Sequence, residues 1–346
     1  GSISLEAPEI VVSGSIDAGS DDWGIAAGDI IFTAERQDGG VASISLDGAV
    51  LRGYNISLKA TSTVSDDAAV GLGQRSAAAS IDVTSSDSNR YNWLEADRDI
   101  SILSESNVSL TISPDKASDD SYDAAYAIAE VDSTARAHVG GYTFMSAMGN
   151  LTIGAKNTVA ITSNATATTE QNQGDYLGGS VAVNKLRTVT EARVTDDTEI
   201  YAGSVKVTAT SDNTVSATAI APALGAREDA SEDPEAQSEM RRHLEEYRDD
   251  AKTSEGEVKA AAALAINDVV STTHAGLDSQ RWANAFGRID VLSSSTYNSS
   301  VTADASPVDA SSDGIGAAVG INRVTSTNAA VIDQWSSAYD GISVVR

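Results

Sequence analysis

The sequence predicts an all-β chain, a parallel β-solenoid built from repeats of about 53 residues with one inserted α-helix. Three observations predict it. A short strand motif returns at a nearly constant interval, the tryptophans share one position relative to that motif, and apolar residues alternate with polar ones at period two.

The motif is a turn residue followed by apolar-x-apolar. It reads Asp29-Ile30-Ile31-Phe32, Asp99-Ile100-Ser101-Ile102, Asn150-Leu151-Thr152-Ile153, Ser204-Val205-Lys206-Val207, Arg288-Ile289-Asp290-Val291 and Gly341-Ile342-Ser343-Val344. The steps from Ile100 to Leu151, from Leu151 to Val205 and from Ile289 to Ile342 are each about 53 residues. The longer step from Val205 to Ile289 falls to the same interval when the charged segment 227–257 is set aside. The first step, from Ile30 to Ile100, is also longer and is expected to hold a smaller insertion.

Seven residues before five of the six motifs stands Trp23, Trp93, Phe144, Trp282 or Trp335, which accounts for all four tryptophans of the chain. Thr198 breaks the series, with Tyr201 nearby as a substitute. A column of stacked aromatics along the solenoid axis is expected. A third marker is an asparagine in Ala182-Val183-Asn184, Ala265-Ile266-Asn267 and Gly320-Ile321-Asn322, with Asp132 read as its equivalent one unit earlier. Amides at one place in successive coils can bond to one another as a ladder.

Within units, Val205, Val207 and Ala209 alternate with Lys206, Thr208 and Thr210, the pattern of a strand with one buried side. A unit of this length is too short for an immunoglobulin-type sandwich. It suits one broad coil or two narrow ones, and its small inward residues favour one broad, flattened coil whose walls approach closely.

The composition sets the classes of function. Lys plus Arg total 23 against 50 Asp plus Glu, a formal charge of −27, which repels a phosphate backbone and makes nucleic acid an unsuitable partner. The same charge keeps a large protein soluble and attracts Ca²⁺. No cysteine is present, which excludes disulfides, thiolate catalysis and zinc–thiolate sites. Hydrophobic runs are too short for a membrane-spanning helix, and no signal peptide is evident. Gly1-Ser2 reads as a cloning scar and Ile3-Ser4-Leu5 as mid-strand, so the sequence reads as an excised fragment of a longer exported protein.

Alternating small residues followed by Ala-Val-Asn-x-Leu resemble the repeats of giant bacterial exoproteins of the filamentous-haemagglutinin and adhesin type, over roughly residues 30–346. The resemblance implies a right-handed parallel β-helix, display at the bacterial cell surface or in the extracellular space, and adhesion or matrix building. It implies neighbouring repeats of a longer chain as packing partners, cell-surface glycans or proteins as ligands, and no catalytic residues. The calcium-binding nonapeptide Gly-Gly-x-Gly-x-Asp is absent.

The segment 227–257 differs in kind. Asp233 can cap a helix and Pro234 suits its first turn. Met240, Leu244 and Tyr247 then form one apolar stripe, so a helix from Pro234 to Ala251 is expected. So thin a stripe leaves an isolated helix marginal in water. The three residues are therefore expected to clamp it onto a coil, the alternative being a handle that projects towards a partner.

Elsewhere the chemistry is sparse. His138, His243 and His274 share no metal spacing and read as structural or surface residues. There is no Gly-x-Ser-x-Gly elbow or phosphate loop, and the glycines between Gly314 and Gly320 have the wrong spacing for a dinucleotide. Asp17, Asp21 and Asp22 cluster in one turn, as do Asp119, Asp120 and Asp123, so these are the candidate Ca²⁺ ligands. The leading expectation is a structural or adhesive rod segment without enzymatic activity. Its rivals are a β-helix carbohydrate-active enzyme, either a polysaccharide lyase or a depolymerase, and an ice-binding solenoid with Thr-x-Thr at Thr61-Ser62-Thr63 and Thr166-Ala167-Thr168.

Overall fold

Each polar turn followed by an alternating run returns the chain to the same wall one strand higher, so local pattern becomes a solenoid. The computed structural model describes residues 1–19, 28–68, 71–114, 123–167, 176–221, 259–278, 282–305, 314–332, 336–338 and 341–345. Coil one is β1 (Ile3–Glu6), β2 (Glu9–Val12) and β3 (Ser15–Asp17). Coil two is β4 (Ile30–Arg36), β5 (Gly40–Leu46) and β6 (Val50–Gly53), and coil three is β7 (Ile56–Ala68), β8 (Leu72–Ser85) and β9 (Asn92–Ala96). Coil four is β10 (Ile100–Ile112), β11 (Asp123–Gly141) and the start of β12 (Thr143–Thr166). The rest of β12, β13 (Tyr176–Val194) and the start of β14 (Thr198–Ile220) make coil five. Coil six continues through β14, β15 (Lys259–Leu277) and β16 (Trp282–Ala285). Coil seven is β17 (Arg288–Asp304), β18 (Gly314–Ile332) and β19 (Ser336–Ala338), and β20 (Gly341–Val345) opens an eighth.

Every pairing between these strands is parallel. The first broad wall runs Ile3, Ile30, Ile56, Ile100, Leu151, Val205, Ile289, Ile342 in one register. All six motif positions read from the sequence lie on that line. The second wall runs Ile10, Ile44, Ile81, Ala137, Ala192, Ala275, Ala330. A short third wall is formed by β3, β6, β9, the first residues of β12 and β14, β16 and β19.

One expectation is corrected. The stretch from Ile30 to Ile100 is not a single coil with an insertion. Ile56 stands in register with both, so the stretch is two coils, one from Ile30 to Ile56 and one from Ile56 to Ile100. The solenoid therefore widens along its axis, from the narrow turn between Ile3 and Ile30 to the broad one between Ile100 and Leu151. The wide units are single broad coils, as their small inward residues suggest. Seven strand steps of about 4.8 Å give roughly 34 Å along the axis, whereas a 17-residue stretch of wall spans roughly 56 Å.

The widening also divides the interior. One apolar cluster, from Ile10 and Ile30 to Val291 and Ala330, runs through all the coils. A second begins only at coil three, with Val64, Ala77, Leu110, Ile161 and Val215. Between them lies a buried polar layer of Ser104, Ser106, Ser133, Asn157, Ser211, Asn213, Ser271 and Thr273. Along β12 the inward residues read Leu151, Ile153, Ala155, then Asn157, then Val159 and Ile161. The hydroxyls and amides are short enough to reach the opposite wall. Ser106 Oγ lies 2.8 Å from Ser133 Oγ, and Asn157 Nδ2 donates to the carbonyls of Ser133 at 3.0 Å and Val189 at 3.1 Å. Such bonds offset the cost of about 1–3 kcal/mol for each buried polar group left unpaired.

The inserted α-helix and its clamp residues Met240, Leu244 and Tyr247 lie outside the described residues. The flanking strands show where the segment departs. β14 ends at Ile220 and β15 starts at Lys259, the same corner at which β10, β12 and β17 end and β11, β13 and β18 begin.

Candidate functional site: an outer aromatic strip and an inner amide ladder

The short third wall is where coils turn back on themselves. Its inward residues Leu51, Leu94, Met145 and Ile200 are fully buried, so alternation forces Trp93 and Phe144 outward. These two are in register, and their rings stack with centroids 4.2 Å apart and planes 28° from parallel. Phe144 also meets Tyr201 at 5.7 Å, and Tyr91 meets Tyr142 edge-on at 5.5 Å. Glu199, not Thr198, is the register neighbour of Phe144, and Trp282 is the neighbour of Glu199. Below Trp93 the column continues to Val50 and then Ser15. Trp23 and Trp335 lie outside the described residues. Ser336, the residue after Trp335, pairs with Ala283, the residue after Trp282.

The strip is a surface feature. Trp93 is 36% exposed and Trp282 47%, and Met148 and Phe286 are also exposed at the same wall. Trp93 Nε1 donates to Glu95 Oε2 at 3.2 Å, which holds the indole over the wall. Stacking Trp93 on Phe144 turns one face of each ring towards the other.

The asparagine marker lies on the second wall, pointing inward. Asn184, Asn267 and Asn322 occupy one register position. Asn184 Nδ2 donates to Asn267 Oδ1 at 2.9 Å and to the Ser216 carbonyl at 2.7 Å, while its Oδ1 accepts from Ser163 Oγ at 2.6 Å. Asn267 Nδ2 donates to the Val215 and Ser300 carbonyls at 3.1 and 2.8 Å. Asn322 reaches the ladder through Ser299, whose hydroxyl it accepts at 2.7 Å. The residue below Asn184 is Ala129, so Asp132 is not the ladder's fourth member; it faces outward, in register with Arg187. The ladder ties the two walls together as well as successive coils.

Nothing in the repeat pattern marks the corner column Asn92, Thr143, Thr198, which is in register and buried. Asn92 Oδ1 accepts from the Ala49 amide at 2.9 Å, and Thr143 Oγ1 donates to the Gly140 carbonyl at 2.8 Å. Gly141, at φ +58°, makes the adjoining turn. Only the position of these residues just before the short wall distinguishes them from ordinary turn residues.

The remaining candidates are scattered. Asp17 is exposed and accepts from the Gly19 amide at 2.8 Å. Asp21, Asp22, Asp119 and Asp120 lie outside the described residues, and Asp123 opens β11 opposite Gly178. Among the described residues no cluster of three or more His, Asp or Glu side chains can hold a metal ion. A shallow concavity lies where coil three overhangs coil two, lined by Asp38, Asp66, Gln74 and Arg75 among others, with no aromatic ring. Arg75 is ion-paired with Asp66 there. His138 sits between Asp82, 3.4 Å away, and Thr195 Oγ1, 2.8 Å away. The hydrogen bond from His138 holds the Asp82 carboxyl below its ordinary value, against the opposing effect of burial. Thr61 is in register with Glu105 and Thr63 with Asn107.

Charged side chains on the outer faces follow the coil register. Arg52 pairs with Glu95, Asp82 with His138, Arg136 with Glu191, Glu130 with Lys185, and Asp268 with Arg323, each across one strand step. No helix among the described residues is long and apolar enough to cross a membrane. Compared with protein-family models, curated proteins and solved structures, the chain matches none, so its resemblance to exoprotein repeats rests on the sequence pattern.

Proposed function

We propose that the chain is a structural or adhesive segment of a large bacterial cell-surface or secreted protein, one stretch of a stacked β-solenoid rod whose sides make attachment or matrix contacts. The observation that supports this most is the unbroken register from Ile3 to Ile342. Among the described residues, several amide, aromatic and charged groups are engaged in maintaining that register. Asparagines bridge walls, Trp93 and Phe144 stack on each other, and opposite charges pair coil to coil. What remains free for partners is a broad, acidic, strand-lined exterior.

The test presents the purified chain, immobilised, to bacterial cells and to a panel of glycans and matrix proteins. Retention without turnover of any glycan is the expected result. Depolymerisation of a glycan would overturn the proposal in favour of a carbohydrate-active enzyme, and failure to retain any cell or matrix component would remove the adhesive half.

A further inference from the structure

Coil two turns back early, and the coil above it does not. β4 covers β7 only over residues 56–62, and β5 covers β8 only over residues 77–83. β7 runs on to Ala68 and β8 begins at Leu72. Residues 63–68 and 72–76 therefore form two facing ledges, with no strand beneath them among the described residues. The turn Asp38-Gly39-Gly40 sets this step, and it lies within the chain, so neither end of the sequence creates it. Bare strand edges of this kind pair with other chains unless something bars them.

The step also leaves the second apolar core, which starts at coil three, without a coil beneath it. Two features close it. The first is the turn itself. The Gly39 amide donates to the Thr63 carbonyl at 3.0 Å, and Ser62 Oγ donates to the Gly40 carbonyl at 2.9 Å. Gly39, at φ +85°, comes so near that a Cβ there would stand 2.7 Å from Val64 Cγ2 and from the Ser76 carbonyl oxygen. The second is a change of character beyond Val64. Alternation makes Asp66 and Arg75 inward residues of their strands. The column above Asp66 is Leu110, Ile161, Val215, and that above Arg75 is Val131, Leu186, Val269, all buried. At the ledge this apolar pairing gives way to an ion pair between Asp66 and Arg75, with the two side chains 32% and 36% exposed. Arg75 Nη1 also donates to the Gln74 carbonyl, on the ledge itself, at 2.7 Å. A strand docked beneath the pair would strip the remaining water from both charges.

We propose that Asp66, Arg75 and the Gly39 turn form a polar seal on this ledge, which closes the second core and prevents a second copy of the chain from pairing along residues 63–68 and 72–76. The cost of desolvating the ion pair is the barrier, and the bare backbone edges are what it protects. The seal follows from the strand register and does not rest on the adhesive reading.

The double variant Asp66→Leu/Arg75→Val gives coil three the residues that coil four carries at the same positions, Leu110 and Val131. It should keep the β signal in circular dichroism, because coil four closes with that pair. In sedimentation velocity its weight-average mass should rise about twofold above that of the wild type at the same concentration, as for a symmetric edge-to-edge pair. The exchange Asp66→Arg/Arg75→Asp keeps both charges and should sediment as the wild type does. The Ser65 amide faces the ledge, two residues on from the Thr63 carbonyl that Gly39 meets. Adding Ser65→Pro to the apolar double variant should therefore restore the wild-type mass, since proline cannot donate to a ladder. Loss of the β signal in the double variant, an unchanged mass, or association that Ser65→Pro leaves in place would overturn the proposal. So would association of the charge-exchanged chain.

Discussion

Asn184 donates from Nδ2 to Oδ1 of Asn267, one coil further along the solenoid, at 2.9 Å. Both amides are buried, and each also bonds to the opposite wall. Replacing Asn184 by Ala removes the partner of Ser163 Oγ and of the Ser216 carbonyl. We expect a loss of about 1–3 kcal/mol in denaturant unfolding. Asn322→Ala, at the exposed end of the ladder, should cost less than about 0.5 kcal/mol. Equal losses at the two positions would show that the ladder does not act through burial.

The outer strip and the wall beneath it should respond in opposite ways to truncation. Leu94 is fully buried, and Leu94→Ala should cost about 2–5 kcal/mol. Its neighbour Trp93 is half-exposed and stacked on Phe144, so Trp93→Ala should cost about 0.5–1.5 kcal/mol. The same measurement on Trp282→Ala, with the ring 47% exposed, should give no more than Trp93→Ala. A loss above that of Leu94→Ala would place the rings in the core.

The Asp82–His138 pair has a defined pH signature. The hydrogen bond to His138 lowers the folded-state pKa of Asp82 below the ordinary 3.8. A carboxyl so shifted contributes stability that is present above its unfolded value and is lost as pH falls through the folded value. Thermal melts of the wild type and of Asp82→Asn should therefore differ at pH 6 and converge as pH falls below 3.8 and through the lower folded-state value. A difference that persists unchanged at low pH would rule out the pair as its source.

Strands on both sides of the charged insertion are already held, β14 by β12 and β15 by β13. Deleting residues 227–257 and rejoining the loop should preserve the β signal in circular dichroism. The sequence predicts a clamp through Met240, Leu244 and Tyr247, whose loss would lower stability by about 1–3 kcal/mol. Loss of folding would instead make the segment part of the core.

Much of the solenoid is legible in the sequence because its walls obey one simple rule. An apolar-x-apolar motif at Ile30, Ile100, Leu151, Val205, Ile289 and Ile342 marks one line of the structure. The coil at Ile56 escapes that reading although Asn55-Ile56-Ser57-Leu58 has the same pattern. A constant interval is the guide, and the narrow coils do not keep it. The aromatic position is legible but its side of the wall is not, since stacking along the axis is equally periodic inside or outside a coil. The polar layer of Ser106, Ser133 and Asn157 is illegible for a different reason. A serine in an alternating strand looks like a weak core residue until the opposite wall supplies its partner.

The central claim is that residues as distant as Ser4 and Ser343 stand on one axial line, seven strand steps apart through Ile31, Ser57, Ser101, Thr152, Lys206 and Asp290. The chain has no cysteine, so spin labels can be placed freely at Ser4→Cys with Ser343→Cys. Electron–electron distance measurement should give a backbone separation of about 34 Å, and about 19 Å for Ser101→Cys with Ser343→Cys, four steps apart. A Ser4–Ser343 distance shorter by one strand step, about 29 Å, would mean that the Ile56 coil is missing. Distances that do not scale with the number of steps would contradict the solenoid itself.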